Sequence, residues 1–251
     1  MRLAARLAPL VAVLLAGSPA AGAEPPFAPG EETVLQVKYL GIPTGEGRIV
    51  VGQPSGVVLP VIFQARTDGL AGFIDIREHL VSYWDQETGL TRGSDLRAYE
   101  VGDYHEDGVR FDREGSRATV TRLRKGKRTS KVVDVPAGTH DLTSALLWLR
   151  MHPLENGARI ELPVLASSRQ FTLVAEVLGR EVVETSAGVF PAVKMRIRTA
   201  LEGNFSTKRD SHLWLSDDSR RIVVRAVADF AVGSIVATLR SYRPGAQVAS
   251  R

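Results

Sequence analysis

The 251-residue sequence contains no cysteine. A disulfide framework is therefore excluded, and so is a lipid-modified cysteine at a processed N-terminus. Aromatic residues make up only 6% of the chain, and there are five histidines, His79, His105, His140, His152 and His212. None stands at zinc-site spacing from another histidine or a carboxylate, and H-E-x-x-H is missing, so structural or solvent-exposed roles are expected and no metal or cofactor is assigned. G-x-S-x-G and S-x-x-K are absent, as are the P-loop and the dinucleotide fingerprint, and Gly52-x-x-Ser55-Gly56 has the wrong spacing for a nucleophile elbow. Adjacent carboxylates occur at Glu31-Glu32, Glu106-Asp107 and Asp217-Asp218, in segments that read as turns or lead-ins. No catalytic residue is named on this basis. Past the first residues, no stretch approaches the roughly 20 unbroken apolar residues of a membrane-spanning helix.

The balance of 32 Lys and Arg against 28 Asp and Glu gives a net charge of +4, too small to argue for nucleic acid. Two of those cations, Arg2 and Arg6, head the apolar run Leu7–Gly17, and Ala21-Gly22-Ala23 follows as a small-x-small cleavage site. Residues 1–23 thus read as a secretory leader. The mature chain is expected to begin at Glu24, with a net charge of +2, and to be periplasmic or secreted.

One stretch, 139–157, reads as a helix. Asp141 is its N-cap, Leu142, Ala145, Leu146 and Leu149 form an apolar face, and Pro153 ends it. Leu147, Trp148 and Met151 extend the apolar surface nearly all round, which predicts burial, with Arg150 the one cation on it. Nearly everything else alternates with period 2 and predicts about a dozen strands. Among them are 33–40, 45–52, 57–67, 77–85, 90–101, 159–166, 170–178, 181–185, 193–201, 206–215, 221–229 and 233–242. Hairpin tips are expected at 105–108, 113–115 and 125–127. The expected fold is mainly all-β, a curled antiparallel sheet or open β-barrel wrapped around one central helix. It forms a single domain over 24–243, followed by a flexible tail, 244–251.

The chain resembles a bacterial family catalogued as domain of unknown function 3108. The likeness runs through Phe27-x-Pro29-Gly30-Glu31, Tyr39-x-Gly41 with Gly45, Asp141-x-x-Ser144-Ala145-Leu146, Leu149-Arg150 and Gly157. It continues through Thr185-x-x-Gly188-x-Phe190-x-Ala192-x-Lys194 and Trp214-x-Ser216-x-Asp218. The resemblance implies exported, β-rich bacterial proteins and no known chemistry. In architecture alone the pattern is also similar to periplasmic lipoprotein carriers, in which an open barrel holds helices over an apolar cavity.

These readings favour a non-catalytic carrier of a lipid-like ligand, ahead of a structural or interaction module with a filled core, and of an enzyme acting on envelope polymers. The ligand would sit against Leu146, Trp148 and Leu149, with His152 and Arg150 at the mouth. A buried Arg150 must meet either an acidic headgroup or a carboxylate of the protein itself, because an unpaired buried charge is very costly. Arg122, Arg124, Lys125, Lys127 and Arg128 form the densest cationic cluster. It reads either as a patch for anionic lipid headgroups or as a charged edge that blunts aggregation. A monomer is expected, with no nucleic-acid partner.

Overall fold

The period-2 stretches form fourteen strands in the computed structural model, which describes residues 25–67, 75–100, 102–112, 116–200, 211–229 and 233–246. The first half of the chain supplies β1 (Glu32–Tyr39), β2 (Ile42–Val51), β3 (Val58–Thr67), β4 (Ile76–Asp85), β5 (Thr91–Glu100), β6 (Asp103–Asp112), β7 (Arg117–Arg124) and β8 (Lys127–Asp134). The helix α1 (Leu142–Met151) follows. The second half supplies β9 (Arg159–Ala166), β10 (Arg169–Thr185), β11 (Gly188–Ala200), β12 (Ser211–Ser216), β13 (Val223–Asp229) and β14 (Ser234–Arg243). All fourteen make one antiparallel sheet in the order β8-β7-β6-β5-β4-β3-β2-β1-β14-β13-β12-β11-β10-β9. The two halves are thus meanders joined where β1 pairs with β14.

The sheet curls but its ladder does not close, since β8 and β9 remain its two edges. The chain between β8 and α1 spans the gap. Val135 donates its N–H to Ser116 O at 2.9 Å, and His140 exchanges backbone bonds with Pro163 and Leu165 of β9, each at 2.8 Å. Arg122 Nη1 also donates to Ser168 Oγ at 3.1 Å, and Gln170 Nε2 donates to Asp134 O at 2.6 Å. Val109, Ala118, Val120, Val135 and Leu165 pack together beneath this seam.

Inside the curl, α1 begins on a capping box. Ser144 N–H donates to Asp141 Oδ1 at 2.7 Å, and Asp141 N–H donates to Ser144 Oγ at 3.0 Å, which satisfies two of the orphan donors of the first turn. Three clusters surround the helix: Leu147 and Met151 meet Phe27, Leu59, Val61 and Trp84; Ala145 and Leu149 meet Leu162, Val164, Leu173 and Ala175; Leu146 meets the cluster holding Leu35, Met195 and Leu215. The C-terminal turn is fixed by charge. Arg150 Nη1 and Nη2 donate to Glu31 Oε1 and Oε2 at 2.7 and 3.1 Å, and both side chains are 3% exposed. Nη2 also donates to the backbone of Arg220 at 2.8 Å and Pro26 at 3.2 Å, while Tyr242 OH donates to Glu31 Oε2 at 3.2 Å. Burial and the neighbouring Glu31 carboxylate push the Tyr242 hydroxyl up to about 12.

Several local expectations are corrected. His105–Gly108 is strand interior in β6 and not a hairpin tip, because His105 and Asp107 turn inward, where Asp107 gains two arginines across the ladder. The expected turn at Gly179-Arg180 is a bulge within the 17-residue β10, with the register shifting between Val177 and Gly179. The Lys125-Gly126 tip does form, both residues having positive φ as a two-residue hairpin turn requires. Of the expected tail, Ala246 donates its N–H to Pro29 O at 3.0 Å, while 247–251 lie outside the described residues. The expected leader over 1–23 and the tip at 113–115 lie outside them as well.

Arg150→Met leaves the Glu31 carboxylate buried without its cation. We expect a loss of about 3–5 kcal/mol in urea-induced unfolding, partly recovered by adding Glu31→Gln, since removing both charges avoids the unpaired one.

Candidate functional site

The ladder registers align inward-facing residues of β2 to β7 into three rows that cross all six strands, beside a shorter row of Leu59, Trp84 and Thr91 at the helix end of the curl. The first of the three, next to that short row, is Val51, Val61, Ser82, Ser94, Val109 and Val120. The next is Ile49, Phe63, Leu80, Leu96, Asp107 and Arg122. The third is Gly47, Ala65, Glu78, Ala98, His105 and Arg124. The helix is only ten residues long: its N-cap Asp141 meets Ser82 of the first row, and Arg150 in its last turn meets Glu31, which is backbone-bonded to Val51 at the end of that row. It fills that half of the curl and leaves the other to the side chains of the upper rows.

What remains there is a cavity of about 370 Å³. Its walls are Leu35, Ile49, Phe63, Leu80, Leu96, Val109, Leu165, Leu213, Val223 and Ala226, and its floor is the first turn of α1 with Leu142, Thr143 and Leu146. Leu142 stays 49% exposed in spite of its place on the helix's apolar face, because it borders this space. Single cavities of this size lie at the lower end of the range for small-molecule sites, roughly 300–1,000 Å³.

Three carboxyl groups reach the cavity surface, and each is held differently. Asp107 is buried and paired, accepting from Arg122 Nε at 3.3 Å and Arg124 Nη2 at 3.2 Å. Asp141 is the helix N-cap, and Ser82 Oγ donates to its Oδ2 at 2.6 Å. Burial nevertheless raises the Asp141 carboxyl above its ordinary value. Glu78 lies opposite Ala65 and Ala98, with His105 beyond Ala98 and Arg124 beyond His105, the last turned to Asp107. Its own partner is the Glu100 carboxyl, and burial together with that like-charged neighbour pushes Glu78 up to about 7.

Of the five helix residues read from sequence as ligand-binding, Leu146 lines the cavity and the other four do not. Leu149 packs against β9 and β10, Trp148 stacks on His152, and Arg150 is held by Glu31 at the opposite end of the helix. The cavity borders Leu142 and Leu146 and not Trp148 or Leu149: the 100° step of the helix puts Trp148 about 160° round the axis from Leu146, while Leu149, on the same face as Leu142, stands about 10 Å further along the axis. In the cationic cluster, Arg122 and Arg124 serve Asp107, and Arg128 lies 3.6 Å from Glu106. Lys125 and Lys127 are exposed and make no ion pair with a described residue. Sequence reasoning missed the strand-borne wall and Glu78. The signal was present, since Glu78 is the lone acid in the inward series Ile76, Glu78, Leu80, Ser82, Trp84.

His140 Nδ1 and Ser144 Oγ approach to 3.2 Å, but Ser144 is fully buried inside the capping box and does not line the cavity. Among the described residues, no three His, Asp or Glu converge as metal ligands, and no helix is long and apolar enough to cross a membrane.

A family model described as a protein of unknown function, DUF3108, matches residues 34–240, and the chain belongs to that family. No curated protein matches it. Among solved structures, a β-barrel-like protein of domain of unknown function DUF1849 from Brucella abortus is similar at 12% identity and a TM-score of 0.58, covering 87% of this chain and 98% of the other. That likeness bears on the fold alone. A candidate lipoprotein from Parabacteroides distasonis covers 87% of this chain and 98% of its own, at 11% identity and a TM-score of 0.33. A candidate exported protein with a YmcC-like fold from Bacteroides fragilis covers 87% and 97%, also at 11% identity and a TM-score of 0.33. Both scores are too low to argue from.

Glu78 also gives the stability a pH dependence of definite sign. Its carboxyl holds a proton more tightly in the fold, at about 7, than its ordinary value of 4.5. The contribution is complete below pH 4.5, declines as pH rises through 7, and is absent above. Thermal unfolding should therefore show Glu78→Gln more stable than wild type at pH 8, with the difference shrinking toward pH 4.5.

Proposed function

We propose that this member of the DUF3108 family is a non-catalytic binding or carrier protein for an apolar or amphiphilic, lipid-like ligand, exported to serve the cell envelope. The observation that carries the reading is the unfilled apolar cavity beside Leu146. Protein interiors pack to the density of organic crystals, with few voids larger than a water molecule. A structural module would have no reason to leave about 370 Å³ open among Leu35, Phe63, Leu80, Leu96 and Leu213. An apolar cavity of this kind gives water few partners and favours an apolar guest. The leader-like residues 1–23 support the exported setting.

N-phenyl-1-naphthylamine, a neutral apolar fluorophore that brightens out of water, is the direct probe. Wild-type protein should enhance its emission saturably at one site. Leu146→Trp and, independently, Ala226→Leu should weaken binding about tenfold or more by occupying the space, with unchanged circular dichroism. Absence of saturable uptake by folded wild-type protein would refute the carrier reading.

A further inference from the structure

The cavity is apolar, but the charge at its surface is one-sided. Among the described residues its lining includes Glu78, Asp107 and Asp141 and no lysine, arginine or histidine. The cations nearest along the sheet are already engaged. Arg122 is shared between Asp107 at 3.3 Å and Ser168 at 3.1 Å, and Arg124 is turned to Asp107 at 3.2 Å. Arg150, the residue whose charge once suggested an acidic headgroup, is held by Glu31, Arg220 O and Pro26 O, and does not line the cavity.

The three acids are not equivalent. Asp107 has two guanidinium partners, and Asp141 has the Ser82 hydroxyl and the Ser144 N–H. Glu78 has the Glu100 carboxyl, a group of its own sign. It stands between two alanines, Ala65 and Ala98, whose small side chains leave its carboxyl uncovered on both sides. An incoming carboxylate or phosphate would add a further negative charge beside Glu78 in a poorly solvated space, with no cation among the described lining residues to receive it. A hydroxyl, amide or ammonium would instead donate a hydrogen bond to it.

Building on the carrier reading, we propose that the cavity selects amphiphiles whose polar end is a non-anionic hydrogen-bond donor, such as an alcohol or amine, received at Glu78, and discriminates against carboxylates and phosphates. The apolar body of the guest lies along Phe63, Leu80 and Leu96 toward Leu146 and Leu213. Glu78 acts here as a specificity residue and performs no chemistry.

The test is competition with N-phenyl-1-naphthylamine by three probes of equal chain length, dodecanol, dodecylamine and dodecanoate, each below its micelle concentration, at pH 8. The alcohol and amine should displace the fluorophore from wild-type protein at about tenfold or more lower concentration than dodecanoate. Glu78→Gln should narrow that ratio by strengthening dodecanoate, whereas Arg77→Gln, on the outward face of the same strand, should keep it. Equal or better binding of dodecanoate to wild type, an unchanged ratio in Glu78→Gln, or the same narrowing in Arg77→Gln would each overturn the inference. In all three cases the fluorophore still enters, so the carrier reading stands. Failure of the fluorophore to enter wild-type protein would remove both.

Discussion

The buried pair between Glu31 and Arg150 is the constraint around which the interior is arranged. A bidentate carboxylate–guanidinium contact at 2.7 and 3.1 Å, 3% exposed on each side, is costly unless most of its remaining hydrogen-bonding capacity is satisfied, and here only Arg150 Nε is left without a partner among the pair's described polar atoms. The backbone oxygens of Pro26 and Arg220 and the hydroxyl of Tyr242 do most of that work. The Phe27 ring lies 5.2 Å from the guanidinium carbon and packs edge-on against Trp84 at 5.1 Å. The residues before β1, the helix end, the β12–β13 turn and β14 therefore converge on one charge. Without it, the last turn of a short helix inside an unclosed sheet would lose its main polar anchor.

That fixed depth leaves the cavity. A ten-residue helix is about 15 Å long, less than the strands around it, so it cannot fill both halves of the curl. With its last turn held at one end, the unfilled half lies at its N-terminus. There Asp141 is occupied by its capping role, and the rows through Leu80 and Leu96 are left facing open space. Even the seam supports this arrangement. His140 is bonded to β9 immediately before the helix begins, so the first turn is set by the same segment that bridges the sheet edges.

Much of the fold was legible because its signals are local. Period-2 alternation located nearly all the strands, and Asp141 and Pro153 bounded the helix within a residue or two. The misjudged elements were those whose conformation depends on distant partners. His105-Glu106-Asp107-Gly108 has the composition of a turn, yet Arg122 and Arg124 hold Asp107 inside a ladder. Gly179-Arg180 likewise reads as a turn, but a single bulge absorbs it within β10. For the site, the helix pattern identified Leu146 and could not orient the helix, so Trp148, Leu149 and Arg150 were grouped with it though they face other neighbours. The sequence marks Glu78 only as the lone acid of its strand's inward series, and the register adds what stands on each side of it.

The central claim is that the helix fills one half of the curl and leaves an apolar cavity in the other. A crystal structure of the protein pressurised with xenon tests it most directly, because xenon enters apolar cavities and is located by its own scattering. The account predicts a xenon site bordered by Leu80, Leu96, Leu146 and Leu213. Side chains repacked into that volume, with no xenon among them, would contradict it.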